Sequence, residues 1–385
     1  MKERLTATLN RYAQKSESIL QVTLIGWIVT KCITTGLWSA DRNFPTAPVW
    51  EELRAIPPSV HLLLLAVSLL TMSALLFRPR RKALAATLLI IEALSCLMDQ
   101  NRLQPWEYQF IFLLFIQLTA KPDTFRSVYM ILLSGLYTYS GLHKLNPDFL
   151  QVVWKDMILN RYLQTDPSLS RKMLVDVFGY AIPLIELAAG LGLLAGERIR
   201  QQALSVLITM HLVILIILGP LGINHNQSVW PWNLVMMGSL LLLKQGIGQS
   251  SNRNERMSAP AYIVWACWFF LPALSFVGLW DQYLSGNLYS GKLPRLSICI
   301  SDSSQARDMR KFFAPEPTRI GCRGEAAINV QQWALREIGV PPYPEKRAYR
   351  ATEDWWKKQF PRSGGVLIYY PSTHPDEAKK FTFTP

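Results

Sequence analysis

The sequence predicts an all-α polytopic membrane bundle of about nine spans with a small C-terminal α+β extramembrane cap. Three observations predict it. Only 17% of the 385 residues are charged and 50% are hydrophobic, whereas soluble domains carry about 25% charge. Charge is also unevenly spread: residues 128–143 and 203–219 contain no Lys, Arg, Asp or Glu, while the segment after Leu279 is dense in them. Finally, the net charge of +13 is concentrated in connections, as expected of Lys and Arg beside lipid headgroups, which argues against a nucleic-acid partner. The same pattern excludes disorder, a repeat solenoid and a disulfide miniprotein.

Crossing about 30 Å of hydrocarbon takes about 20 mostly apolar residues. Runs of that kind, bounded by charge, Pro or Gly, lie near 19–38, 59–77, 83–100, 107–120, 126–143, 174–196, 203–220, 229–245 and 260–280. The run at 107–120 is the shortest and reads as a tilted or partly buried span. The first run is too long for a signal-peptide core and has no clear cleavage site, so it reads as retained. Segment 1–18 is then an N-terminal arm, 19–285 the membrane domain and 286–385 the cap.

Orientation follows from basic residues in the connections. With the N-terminus inside, the inner segments hold fifteen Lys and Arg, among them Arg78, Arg80, Arg81, Lys82, Lys121, Arg126, Lys244, Arg253 and Arg256. The outer connections hold seven, including Arg42, Arg54, Arg102, Lys155, Arg171 and Lys172. The asymmetry predicts a cytoplasmic N-terminus and an extracytoplasmic tail.

Between 147 and 170, Phe149, Leu150, Val153, Trp154, Met157, Ile158 and Leu163 recur at helical spacing with Lys155, Asp156, Arg161 and Gln164 between them. This predicts an amphipathic helix in the interface, anchored by Trp154 and Tyr162 at headgroup level. In the tail, Leu296–Ile300 reads as a strand, Ser303–Phe313 as a helix capped by Ser303 or Ser304, and Ala326–Ile338 as a helix ended by Gly339. A turn is forced by Pro341, Pro342 and Pro344. A last helix over Glu345–Phe360 and a strand over Gly365–Tyr370 complete a two-stranded cap.

Cys32, Cys96 and Cys267 fall in apolar runs and read as small buried hydrophobes, whereas Cys299 and Cys322, both in the tail, are candidates for a disulfide. No His/Cys cluster has zinc spacing, so no metal is expected. A phosphate-binding glycine loop and a G-x-S-x-G elbow are also lacking.

Ionisable groups inside spans cost roughly 2.5–3.5 kcal/mol each at the bilayer centre, so each needs a partner or a purpose. Lys31, Glu92, Asp99, Glu107, Lys144, Glu186 and His211 are the candidates, with His143 and His225 near span ends. Glu92 and Glu186 can neutralise Lys31 and Lys144 as buried ion pairs; Lys31 alternatively snorkels or carries a functional charge. Lys144 follows an apolar run in which Gly141 permits close helix approach and Tyr139 lies nearby. It reads either as a desolvated amine able to act as a base or as a snorkelling cation paired with Asp148.

The stretch Gly141-Leu-His-Lys-Leu-Asn-Pro-Asp-Phe149, following an apolar span, resembles the glycine–lysine–leucine–aspartate motif in the membrane domain of vitamin K-dependent gamma-carboxylase. It is also similar to the wider bacterial group of horizontally transferred transmembrane domain, or DoxX-like, proteins. The resemblance covers roughly residues 20–280 in span order. It implies that Lys144 is the base behind oxygenation of a reduced quinone of the vitamin K type, with His143 beside it. His143, Asn146 and Phe149 stand where the carboxylase has lysine, aspartate and tryptophan. Gln104-Pro-Trp-Glu-Tyr-Gln109 lacks the histidine of the carboxylase's corresponding region, and the long lumenal portion that grips the propeptide is missing. The resemblance therefore extends to the fold and the lysine rather than to glutamate carboxylation.

Asp99-Gln-Asn-Arg-Leu-Gln-Pro-Trp106, Gly219–Asn226 with Trp230–Asn233, and Leu284–Gly291 are similar to stretches of bacterial members of that group. Each falls where a span meets the outer face. Asp99, Arg102, Trp106, Lys144, Asn224, His225, Asn226 and Trp232 are accordingly expected to converge on one outward polar pocket, with Tyr139 near it. Two function classes follow. One is a bacterial inner-membrane enzyme using Lys144 on a quinone-like or other amphipathic substrate. The other is a non-catalytic scaffold, or an electron-transfer or maturation partner of exported proteins. A transporter ranks third, since the chain shows no obvious inverted repeat.

Overall fold

The computed structural model describes residues 2–166, 173–245, 257–315, 322, 324–371 and 379–383, with backbone alone over 2–12 and 380–383. The distal end of the predicted interfacial segment, 167–170, and the basic residues Arg171, Lys172, Arg253 and Arg256 lie outside the described residues. In chain order the α-helices are α1 (Lys2–Ile33), α2 (Thr35–Trp38), α3 (Pro58–Phe77), α4 (Lys82–Met98), α5 (Pro105–Thr119), α6 (Phe125–Lys144), α7 (Met173–Gly192), α8 (Glu197–Leu218), α9 (Val229–Lys244), α10 (Ala259–Trp265), α11 (Leu271–Ala273), α12 (Val330–Glu337) and α13 (Lys346–Gln359). A π turn over Ala266–Phe270 and a 3-10 turn over Leu274–Val277 make 259–277 one continuous helical rod.

Among the described residues, four helices are long and apolar enough to cross a membrane by length and composition: Pro58–Phe77, Met173–Gly192, Glu197–Leu218 and Ala259–Val277. The helices α4, α5 and α9 are shorter, at 17, 15 and 16 residues.

The chain divides into two compact units: residues 1–33, 64–93 and 105–290 form one, and residues 34–63, 94–104 and 291–385 the other. The first unit is a helical bundle. Its core joins Leu133, Leu136 and Tyr137 of α6 to Ala189 of α7, Leu204 and Leu207 of α8, Met236 and Leu240 of α9 and Trp268. Large apolar side chains also point outward, among them Ile182, Ile185 and Leu191 of α7 and Leu212, Val213 and Ile216 of α8. Water would penalise such faces, and lipid would not. Helices α6 and α7 pack closely because two glycines sit at the crossing. A Cβ on Gly190 would lie 2.7 Å from the amide nitrogen of Thr138, and one on Gly141 2.8 Å from the Pro183 carbonyl.

The interfacial segment forms a π-helix, Phe149–Tyr162, instead of the α-helix its spacing predicts. Asn146 Oδ1 accepts from the Phe149 amide at 3.0 Å and fixes the entry. Phe149, Leu150, Val153 and Met157 bury against Leu218 and Val229. The Trp154 indole donates to the Val175 carbonyl at 2.8 Å, so a protein group takes the hydrogen bond expected to face the headgroups. Cys96 is buried as expected, but Cys32 is exposed and Cys267 half-buried, because these two lie on outward faces of their helices.

The second unit is built on an antiparallel sheet of four strands, β1 (Arg295–Ile300), β2 (Ala326–Asn329), β3 (Gly365–Tyr370) and β4 (Lys379–Phe383), in the order β2-β1-β3-β4. Two strands lie beyond the expected pair: β2 comes from a segment whose spacing predicts helix, and β4 from a stretch for which the sequence predicts no element. Ala326–Asn329 pairs with β1, with Ile298 opposite Ile328, and the Asn329 side chain caps α12 by accepting from the Gln332 amide. The predicted helix over Ala326–Ile338 therefore starts at Val330. The Ser303–Phe312 segment is a 3-10 helix capped by Asp302, not by Ser303 or Ser304. Hydrogen bonds from the Ser304 amide and hydroxyl hold the Asp302 carboxyl below its ordinary range. Trp333 and Trp356 pack with Phe312, Phe360 and Phe44 to form the aromatic core of this unit.

Cys299 and Cys322 are joined by a disulfide across 23 residues of sequence. By loop-closure entropy, such a bridge contributes roughly 3 kcal/mol. Reduction is expected to lower the melting temperature of this unit by several degrees. The check is thermal melting with and without reductant, paired with alkylation of the freshly denatured, unreduced protein, which should label neither cysteine.

Candidate functional site

Three buried polar clusters hold the ionisable residues of the apolar segments. The first lies between α6 and α7. Lys144 closes the last turn of α6, and its Nζ donates to Ser140 Oγ at 2.6 Å, one turn back, and to Glu186 Oε2 at 2.7 Å. The two charged side chains are 14% and 7% exposed, so the attraction is little screened and neither group can be lost without stranding the other. A hydrogen-bonded chain crosses the same bundle. The Tyr137 hydroxyl and His211 Nε2 are 2.6 Å apart, and His211 Nδ1 and Asn233 Oδ1 are also 2.6 Å apart. Since Asn233 Nδ2 donates to the Val229 carbonyl at 2.7 Å, its oxygen faces the ring. That assigns the tautomer: Nδ1 donates to Asn233 and Nε2 accepts from Tyr137. Glu186 and Lys144 both act electrostatically on His211.

The second cluster joins α1, α3, α4 and α5. Lys31 Nζ donates to Glu92 Oε2 at 2.8 Å, with both side chains essentially buried. Ser68 Oγ donates to the other oxygen of Glu92. Glu107, beside Glu92, accepts from the Trp27 indole at 2.7 Å. The ion-pair alternative for the buried carboxylates is thus the observed one, with Glu92 assigned to Lys31 and Glu186 to Lys144.

The third cluster belongs wholly to the second unit. Asp99 caps a 3-10 turn over Gln100–Arg102, accepts from the amides of Ala47 and Asn101, and pairs with Arg42. Arg102 is fully buried. Its guanidinium donates to the carbonyls of Leu37, Trp38 and Ser95, to Ser95 Oγ at 2.9 Å and towards His61 Nδ1 at 2.8 Å. Neighbouring residues reach the tail: Asn101 Oδ1 accepts from the Tyr343 amide at 3.0 Å, Gln104 donates to the Pro341 carbonyl at 3.0 Å, and Gln100 accepts from Arg347.

Of the eight residues expected in one pocket, Asp99 and Arg102 belong to the second unit and the other six to the first. Asp99 and Arg102 are structural donors and acceptors within their own unit. Trp106 is buried against Phe110, and Trp232 donates to Gln109 Oε1 at 2.7 Å. Asn224 takes a left-handed turn conformation, Asn226 Oδ1 accepts from Ser228, and the His225 ring lies near Tyr289. His143 and Tyr139 engage a different helix from Lys144's partner. His143 stacks on Phe276 with ring centroids 4.5 Å apart and bonds Ser275, while the Tyr139 hydroxyl donates to the Phe269 carbonyl. The residues that sequence reasoning missed, Ser140, Ser68, Arg42 and His61, are partners whose types are unremarkable alone; only the cost of an unpaired buried charge hints at them. Among the described residues no group of three or more His, Cys, Asp and Glu is placed to hold a metal ion. No family model, no curated protein and no solved structure matches the chain.

Proposed function

We propose that this is an integral membrane protein crossing the bilayer nine times, N-terminus in the cytoplasm and tail extracytoplasmic, and that its Lys144–Glu186 pair handles a proton for an amphipathic, quinone-like substrate. The observation that carries this reading is an ion pair, little exposed, closing an otherwise apolar helix beside the Tyr137–His211–Asn233 chain. Moving the shared proton from Lys144 to Glu186 leaves an amine and a carboxylic acid with no change in net charge, so a low-dielectric setting tolerates the transfer. The amine is then able to take a hydroxyl proton from a hydroquinone, the chemistry implied by the resemblance of residues 141–149 to the gamma-carboxylase membrane domain. His211, hydrogen-bonded at both ring nitrogens, holds Tyr137 in place beside the pair.

Arginine tests the role without breaking the pair, because it keeps the positive charge and cannot serve as a base. Lys144→Arg is expected to retain wild-type thermal stability and to lower hydroquinone-dependent oxygen uptake by about 10²–10⁴-fold. Uptake unchanged in Lys144→Arg would refute the base. Lipid extraction and mass analysis of the purified protein should find a quinone.

A second reading, a non-catalytic DoxX-like scaffold or an electron-transfer or maturation partner, is favoured by the full structural engagement of Asp99 and Arg102. A stoichiometric exported protein co-purifying with quinone-free chain would select it. For topology, alkaline phosphatase fused after Pro385 is expected to be active, and inactivity would overturn the orientation.

A further inference from the structure

The connection between α3 and α4 places Arg78, Arg80, Arg81 and Lys82, all exposed, within five residues. Beside it is a cavity of about 310 Å³, walled by α1, the start of α4, the end of α5 and the start of α6. Its rim carries Arg80 and Lys82, and its apolar walls include Ala85, Leu118 and Phe125. Arg80 Nε donates to Glu17 at 2.6 Å, yet the arginine side chain is 72% exposed. Lys82 Nζ reaches the Leu118 carbonyl only at 3.4 Å. Gln117, also in the wall, has its Oε1 buried without a hydrogen-bond partner among the described residues. Phe77, 83% exposed, ends α3 next to this basic turn.

We infer that this cavity binds the headgroup of an anionic phospholipid bearing hydroxyls, of the phosphatidylglycerol type. Three features select that chemistry. The two basic side chains of the rim, Arg80 and Lys82, outnumber its single acid, Glu17, and Arg78 and Arg81 adjoin them in sequence, so the rim favours a phosphate. Gln117 in the wall has a buried, unpartnered Oε1, and swung towards the cavity it would accept from a glycerol hydroxyl, a donor that the lipid's phosphodiester lacks. The exposed apolar surface of α3 then receives the acyl chains, a step that rests on α3 lying in the bilayer.

The test uses the full chain in phosphatidylcholine nanodiscs, titrated with phosphatidylglycerol, with phosphatidylmethanol, which has the same charge and no hydroxyl, and with inorganic phosphate. Binding is read by native mass spectrometry. Phosphatidylglycerol should be preferred over phosphatidylcholine, and the double substitution Arg80→Gln, Lys82→Gln should reduce that preference by about fivefold per basic residue. Phosphatidylglycerol should also outcompete phosphatidylmethanol several-fold, and Gln117→Leu should abolish that difference. Glu17→Gln, which removes the competing acceptor, should tighten binding. Equal retention of all three lipids, or saturation by inorganic phosphate alone, overturns the inference. A chain that fails to enter phosphatidylcholine discs at all refutes the membrane reading instead.

Discussion

Arg102→Met is expected to destabilise the second unit by more than about 3 kcal/mol, enough to open it at physiological temperature. The side chain is fully buried, and its guanidinium supplies hydrogen bonds to three carbonyls, a hydroxyl and His61. Methionine fills much of the volume but leaves these acceptors dry, at roughly 1–3 kcal/mol for each one not rescued by water. Lysine restores the charge without the planar fork, so Arg102→Lys should recover only part of the loss. Thermal melting and limited trypsin digestion between residues 295 and 371 provide the measurement. A melting point within a degree of wild type would show that Arg102 does not hold this unit together.

Lys144→Met is expected to cost roughly 3–5 kcal/mol, because it leaves the Glu186 carboxylate buried with its ammonium partner gone. The double substitution Lys144→Met, Glu186→Gln should recover most of that cost, since a neutral amide needs no counter-charge. The coupling between the two positions is read from the four melting curves of a double-mutant cycle. Additive effects would mean that the pair contributes nothing as a pair. Stability lost in Lys144→Met but kept in Lys144→Arg, with oxygen uptake lost in both, separates the proton-handling role from the electrostatic one.

The helical positions were legible because an apolar run has to find lipid or core, and runs of that kind set where α3, α7 and α8 lie. Buried charge was legible for a related reason: Lys31 and Lys144 had to be neutralised, and Glu92 and Glu186 were the carboxylates deep enough to do it. The pairing was not legible, because it joins residues 61 and 42 positions apart on different helices. Strand β2 was hidden by alanines that fit a helix equally well; pairing with β1 decided against it. For Asp99 and Arg102, residue type and position near span ends suggested a pocket. Their true partners, Arg42, His61 and the carbonyls of α2, carry no signal along the chain. The disulfide was legible only as a possibility, because the spacing of Cys299 and Cys322 along the chain does not fix their distance in the fold.

The hydrogen bonds from residues 100–104 to residues 341–347 bridge sequence separations of 237 to 247 residues. A ribosome making the chain releases Gln100, Asn101 and Gln104 long before their partners exist. Contacts of such range are slow to close, since the loop entropy must be met before they form. Arg102 differs, because its acceptors at Leu37, Trp38, His61 and Ser95 precede it in synthesis. The unit thus has an early-ripening centre and a late-ripening rim, where Asn101 Oδ1 and Gln100 Oε1 wait for their donors until Tyr343 and Arg347 have emerged.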